Sequence, residues 1–224
     1  MNQAAIDALI AELEADVRVA ERQLGKSTLD PRVMAALRKV PRAEFVPPAR
    51  RAEAHVNAPL PIGFGQTISQ PFIVAVMTDA LELAPGDRVL EIGTGCGYQT
   101  AILAELAAEV SSVEILAELA TAAQARLRDM GYANVRLRTG DGREGWPEEA
   151  PFDAVIVTAG AREIPEPLLA QLKPGGRMVI PVGNTMVGQS LTRVTKGEDG
   201  KVEKRALLPV AFVPLVRGRN SRGR

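Results

Sequence analysis

From residue 88 to residue 182 the chain alternates short apolar runs with helix-like stretches, and few architectures tolerate that rhythm. The runs fall at 88–93, 110–115, 135–139, 152–158 and 178–182, and the helical stretches at 98–107, 116–130 and about 165–172. A run apolar at nearly every position has both faces covered, the mark of a parallel strand between two helical layers. Another helix at 71–83, closed by Pro85-Gly86, precedes the series, and two more strands near 190–196 and 204–216 follow it. The pattern predicts an α/β fold with a doubly wound, mostly parallel, seven-stranded sheet. In such sheets ligands sit at the carboxyl ends of the strands, near the point where the strand order reverses. The turns directly after the strands are therefore where chemistry is expected.

The preceding residues read differently. Ile6, Leu9, Ile10, Leu13, Val17 and Leu24 recur at spacings near 3.6 and predict a helix over 4–24. A second helix fits 31–40, with Asp30 as N-cap and Pro31 in the first turn. Pro41, Pro47 and Pro48 then break regularity, and 45–70 is expected to be extended and loop-rich. The organisation expected is a helical and loop segment, 1–70, packed on a core, 71–216, with a disordered basic tail, 217–224. A globule of 224 residues buries roughly 70–75% of its unfolded surface and needs no disulfide or structural metal. Lys+Arg and Asp+Glu balance at 27 each, so no global field draws the chain to nucleic acid or an anionic membrane. With one cysteine, no apolar run near membrane-spanning length and a polar, amphipathic N-terminus, the expectation is a cytoplasmic monomer without bound metal.

The first strand runs straight into Glu91-Ile92-Gly93-Thr94-Gly95-Cys96-Gly97-Tyr98. Three glycines in five residues let the backbone turn sharply against a ligand. The helix that follows presents unpaired N–H groups and a positive dipole end. The dinucleotide pattern GxGxxG would need glycine where Tyr98 stands, so a pyrophosphate ligand is disfavoured. Glu114, followed by Ile115, ends the second strand, where a carboxylate can accept from both hydroxyls of a ribose. Gly140-Asp141-Gly142 follows the third strand, and Asp141 is expected to reach an adenine amino group. Glu91 is expected to orient the loop or, through water, the amino-acid end of the ligand. Together these turns resemble class I S-adenosylmethionine-dependent methyltransferases, with their Rossmann-like fold. The resemblance implies S-adenosyl-L-methionine as cofactor and S-adenosyl-L-homocysteine as product, the methionine carboxylate fitting the helix terminus after Gly93, Thr94, Gly95 and Gly97.

The acceptor is narrowed by what is scarce. Amines and hydroxyls must lose a proton, whereas a carboxylate, with a pKa near 4, is already an anion at neutral pH. His55 is the only histidine and lies in the proline-broken stretch, where a structural role is expected. Thr158-Ala159-Gly160-Ala161 lacks the polar-Pro-Pro-aromatic motif of base-amine methylation, and Cys96, inside the glycine turn, reads as a small residue rather than a nucleophile. These residues favour an ionised acceptor but leave open a small-molecule acceptor and a non-catalytic cofactor-binding module.

The remaining distinctive segment is PLPIGFGQTISQP over 59–71, glycine-hinged between rigid ends. With VPRAEFVP (40–47), VLEIGTGCGYQTAILA (89–104), the GDG and Gly145-Trp146-Pro147 turns, QLKPGG (171–176) and PVAFVPL (209–215), it resembles the protein-L-isoaspartate O-methyltransferases over most of the chain. That resemblance implies methylation of the free α-carboxylate of L-isoaspartyl residues in damaged proteins and peptides. The ester then closes to a succinimide, which reopens partly to normal aspartate. It further implies catalytic roles for Thr67 and Ser69, with Ser69 orienting the acceptor carboxylate, a cofactor contact from Gln66, and a peptide-binding rim of Ile62, Gly63 and Val213. The chain departs from the usual pattern at Phe64, Cys96 and His55-Val56-Asn57.

Overall fold

The computed structural model describes residues 3–184 and 188–218. Helix α1 (Gln3–Val19) buries Ile6, Leu9, Ile10, Leu13 and Val17, the stripe expected of it. The helix expected to run to residue 24 is interrupted at Ala20, and α2 (Glu21–Leu24) ends at Gly25, φ +77°. In α3 (Pro31–Lys39) the Asp30 side chain accepts the Arg32 N–H, and Pro31 occupies a position whose N–H would have no helical partner.

Residues 45–70, read from sequence as extended and loop-rich, contain an antiparallel hairpin of β1 (Leu60–Gly63) and β2 (Gln66–Ile68). Its turn, Phe64-Gly65, has φ of +53° and +70°. Two left-handed residues match the twist of a two-residue hairpin, but the usual sequence signal is Asn-Gly or Asp-Gly, so Phe-Gly hid it. Asn57 ties this region down. Its amide donates to Glu12 and Asp16 of α1, and its Oδ1 accepts the Phe72 N–H at the start of α4 (Pro71–Ala80).

The core continues through β3 (Arg88–Ile92), α5 (Tyr98–Ala104), β4 (Glu109–Glu114), α6 (Ala117–Asp129), β5 (Val135–Thr139), β6 (Phe152–Val157), α7 (Glu166–Gln171), β7 (Leu172–Asn184), β8 (Gly188–Lys196) and β9 (Val202–Val210). The seven-stranded sheet has the order β5-β4-β3-β6-β7-β8-β9; the first five are parallel, and β8 and β9 return antiparallel. Alternation along each strand divides two apolar clusters. Val89, Ala154, Ile156 and Val179 face α1, α3, α4 and α5, whereas Leu90, Val155, Val157, Met178 and Ile180 face α7. The N-terminal helices therefore share one core with the sheet.

Two expectations about strands are corrected. The fifth strand begins at Leu172, not 178, because the pairing with β6 passes over a bulge that accommodates Lys173-Pro174-Gly175-Gly176. The last strand ends at Val210, not 216. The chain beyond Val210 crosses the carboxyl end of the sheet, where Val213 and Leu215 bond to Gly160. Of the tail, Arg217 and Gly218 are placed, and the Gly218 N–H donates to Asp141 at 2.8 Å. Residues 219–224 lie outside the described residues.

Candidate active site

The chain leaves β3 toward β4 on one side and leaves β6 toward β7 on the other, so the order reverses between β3 and β6. Over that point lies a cavity of about 250 Å³. Its floor is the glycine turn (Gly93, Thr94, Gly95), Glu114, Ile115, Gly142 and Thr158; Gln66, Thr67 and Ser69 close it from the hairpin side and Val213 to Val216 from the C-terminal crossing. A second cavity of about 480 Å³ adjoins it, lined by Pro59, Gln70, Ile73 and residues 209–213. Thr67, Ser69, Thr158 and Val213 belong to both walls. Among the described lining residues, Glu114 is the only Asp, Glu, Lys or Arg in the first cavity, and the second has none.

Glu114 fastens the turn it faces. One carboxylate oxygen accepts the Gly95 N–H at 2.8 Å and the other the Leu116 N–H at 3.0 Å. A carboxylate has about four acceptor positions, so both oxygens keep capacity for a diol. Gly93 has φ +94°, and a Cβ there would collide with the Thr158 hydroxyl. Thr94 reaches the cavity and also heads a buried relay: its hydroxyl bonds Ser112 at 2.6 Å, and Ser112 donates to Glu91 at 2.6 Å.

Glu91, expected to orient the loop or, through water, the amino-acid end of the ligand, sits beneath them. It is fully buried and takes a second hydrogen bond from Thr100 at 2.5 Å. Burial pushes its pKa up to about 8 against the pull of the Ser112 and Thr100 hydroxyls, and Glu114 adds to the rise. Its influence on the cavity therefore passes through Ser112 and Thr94. Asp141 stands at the edge of the cavity, next to Gly142. Its oxygens accept the Arg143 and Gly218 N–H groups and face a separate polar pocket, while Gly142 forms the cofactor-side wall. Gly142 can do so because a Cβ would strike the Ile92 side chain.

Other expected residues support the cavity without lining it. Gly97 packs against Leu127 and Ala123 of α6, and Gly140 donates its N–H to the Glu114 carbonyl. The Ile62 side chain reaches over Gly95, whereas Gly63 lines neither cavity. His55 lies outside both, its pKa lowered by burial and then by Arg42. Burial pushes the Cys96 thiol up, which suits a packing role, and Arg126 donates to the Cys96 carbonyl at 2.8 Å. Arg126 and Thr158 are site-building residues that sequence reading missed; neither sits in a motif, and each acts on a residue distant in the chain.

Among the described residues no cluster of His, Cys, Asp and Glu could hold a metal, and no helix is long and apolar enough to cross a membrane. A doubly wound sheet with a glycine turn after its first parallel strand and a carboxylate ending the next, both facing one switch-point cavity, defines a Rossmann-like methyltransferase. Residues 17–220 match the family described as protein-L-isoaspartate(D-aspartate) O-methyltransferase, and the chain belongs to that family. It is 58% identical over 210 residues to protein-L-isoaspartate O-methyltransferase 2 of Syntrophobacter fumaroxidans, covering 94% of this chain and 85% of the relative. It is 55% identical over 207 residues to the protein of the same name from a Polaromonas species, covering 92% and 98%. A crystal structure of a putative protein-L-isoaspartate O-methyltransferase from Plasmodium falciparum, in complex with S-adenosyl-L-homocysteine, superposes with a TM-score of 0.76 at 25% identity, covering 92% of this chain and 97% of that one.

Proposed function

We propose that this protein transfers a methyl group from S-adenosyl-L-methionine to the free α-carboxylate of L-isoaspartyl residues in damaged proteins and peptides. The observation that carries the reading is the pair of cavities meeting at Thr67, Ser69, Thr158 and Val213, with no lysine, arginine or histidine in either described lining. The glycine turn and Glu114 suit a nucleoside carrying a sulfonium: the turn supplies close backbone approach, and Glu114 supplies a diol acceptor and the only carboxylate. S-adenosylmethionine supplies an electrophilic methyl group when bound.

The chain's own residues then have three tasks. Gly93, Thr94, Gly95, Glu114 and Ile115 hold the donor, with Gln66 closing over it. Ser69 and Thr67 orient the acceptor carboxylate by donating hydroxyl hydrogen bonds, and Val213 shapes the wall beside it. The uncharged surroundings do the rest. Attack of a carboxylate on a sulfonium consumes one negative and one positive charge, so a lining without lysine, arginine or histidine to compete for the acceptor favours it. A basic side chain at the acceptor would damp the nucleophile, and a general base has no proton to remove. We further propose that the protein acts as a monomer in the cytoplasm, without nucleic-acid or membrane partners.

The reading is tested with radiolabelled S-adenosylmethionine and matched peptides containing Asp or isoAsp. Label is expected on the isoAsp peptide alone, as a base-labile ester. Equal labelling of both peptides, or base-stable label, would overturn it.

A further inference from the structure

Thr158 is the first residue beyond β6 and makes three hydrogen-bond contacts to the end of β3 and the residue after it. Its N–H donates to the Ile92 carbonyl at 2.9 Å. Its hydroxyl lies 3.0 Å from the Ile92 carbonyl oxygen and 2.6 Å from that of Gly93. A hydroxyl carries one proton, and the shorter contact marks the Gly93 oxygen as its main acceptor. The Gly93 N–H is meanwhile held by the Val113 carbonyl at 2.8 Å. The peptide groups on both sides of Gly93 are thus pinned, one from β4 and one from β6, at a residue whose φ of +94° leaves the turn's direction otherwise free.

We propose that Thr158 is a positioning residue: its hydroxyl fixes the Gly93 carbonyl and so sets where the cofactor's reactive end stands relative to Ser69 and Thr67 across the shared wall. The role rests on the proposed use of the cavity for S-adenosylmethionine. Three features separate it from ordinary packing. The hydroxyl lies at the switch point, where the strands on either side carry different halves of the site. Thr158 lines both cavities, whereas Gly93 lines only the cofactor cavity. And the contact leaves no room for a methyl group in place of the oxygen, because 2.6 Å suits an O–H···O bond but is well inside carbon–oxygen contact.

The test compares T158S, which keeps the hydroxyl, with T158V, which keeps the branched side chain but puts a methyl where the hydroxyl met the Gly93 carbonyl at 2.6 Å. S-adenosyl-L-homocysteine affinity is measured by calorimetry, methyl transfer to an isoAsp peptide by steady-state kinetics, and stability by urea denaturation. T158V is expected to weaken S-adenosylhomocysteine binding and raise the KM for S-adenosylmethionine by about tenfold, the effect of losing a hydrogen bond and displacing the turn. The KM for peptide is expected to change less than the KM for S-adenosylmethionine, because the Gly93 turn that the hydroxyl holds lines only the cofactor cavity while the residue at 158 keeps a branched side chain on the acceptor wall, and T158S is expected to stay within about twofold in every constant. Wild-type affinity in T158V would overturn the proposal, as would equal impairment of T158S and T158V. A change in denaturation midpoint with unchanged affinity would show a purely structural role and overturn it too. The calorimetric arm needs no acceptor, so a wrong acceptor assignment shows in the peptide assay of the wild type and leaves this result interpretable.

Discussion

The two walls of the site are built in opposite ways. The donor side, from β3 to the end of β4, is rigid: Gly95 is tied to Glu114, Thr94 to Ser112 and through it to Glu91, and Gly93 to Thr158 and Val113, with Glu91, Thr94, Ser112 and Glu114 all buried. The acceptor side is a two-stranded hairpin with an exposed tip, Phe64 at 60% exposure, and a C-terminal crossing in which Val216 is 51% exposed. Low burial and few partners mark segments that open easily. The contrast matches the proposed task, since the donor is one invariant molecule and the acceptor is a carboxylate on many different damaged chains.

The rigid side should show the largest effects. In wild type, Glu91 stays protonated in the folded state up to about pH 8, whereas in the unfolded chain it ionises near its ordinary value of about 4.5. Between those values the unfolded state holds fewer protons, so stability falls as pH rises through the window and levels beyond it. Glu91→Gln removes that slope. Its stability relative to wild type should improve from pH 5 to pH 8 by up to about 3–4 kcal/mol, measured by urea denaturation across the range. Parallel profiles for the two proteins would mean that Glu91 is not held protonated.

Gly93→Ala should follow. A side chain at its positive φ costs about 1–2 kcal/mol before the collision with Thr158 is counted, and cofactor affinity is expected to fall on the order of 100-fold. Near-wild-type binding by calorimetry would show the turn to be as yielding as the hairpin. Next comes a split between the walls. Glu114→Ala should cost about 1.5–3 kcal/mol of cofactor binding, the range for hydrogen bonds to a charged group. Ser69→Ala should instead lower kcat by about tenfold with cofactor affinity unchanged. If both variants shift the same constant, the division into donor and acceptor walls fails. The smallest effect is expected at the hairpin tip. Phe64→Gly relieves a left-handed non-glycine residue and should raise stability by about 1 kcal/mol or less, after the entropy lost by glycine is offset. A destabilised variant would show that the Phe64 ring packs rather than projects.

Particular residues show how far the chain could be read. Glu114 and Glu91 both lie in or at the end of apolar strands, and both read as ligand contacts. Register and helix placement separate them: Glu91 is level with Ser112, so it lies on the same side of the sheet as Glu114 but two residues deeper, against Thr100 of α5, whereas Glu114, at the strand's carboxyl end, lines the cavity. Asp141 looked like a ligand contact because it stands between two glycines in the right turn. The hydrogen bond it takes from Gly218, 77 residues later, is invisible along the chain. Thr67 and Ser69 were legible because their segment is distinctive, although the hairpin holding them was masked by its Phe-Gly turn.

By itself the sequence determined the seven strands of the main sheet and their alternation with helices, the sharp turn after the first, and which residues are proposed to meet a nucleoside and an ionised acceptor. Period-two and period-3.6 burial, proline geometry and glycine freedom are local properties of the chain. Tertiary structure decided which carboxylate faces the ligand, which threonine braces the glycine turn, and that the last residues leave the sheet to close the site. Those outcomes rest on contacts between segments far apart in the chain, whose geometry exists only once the sheet has assembled.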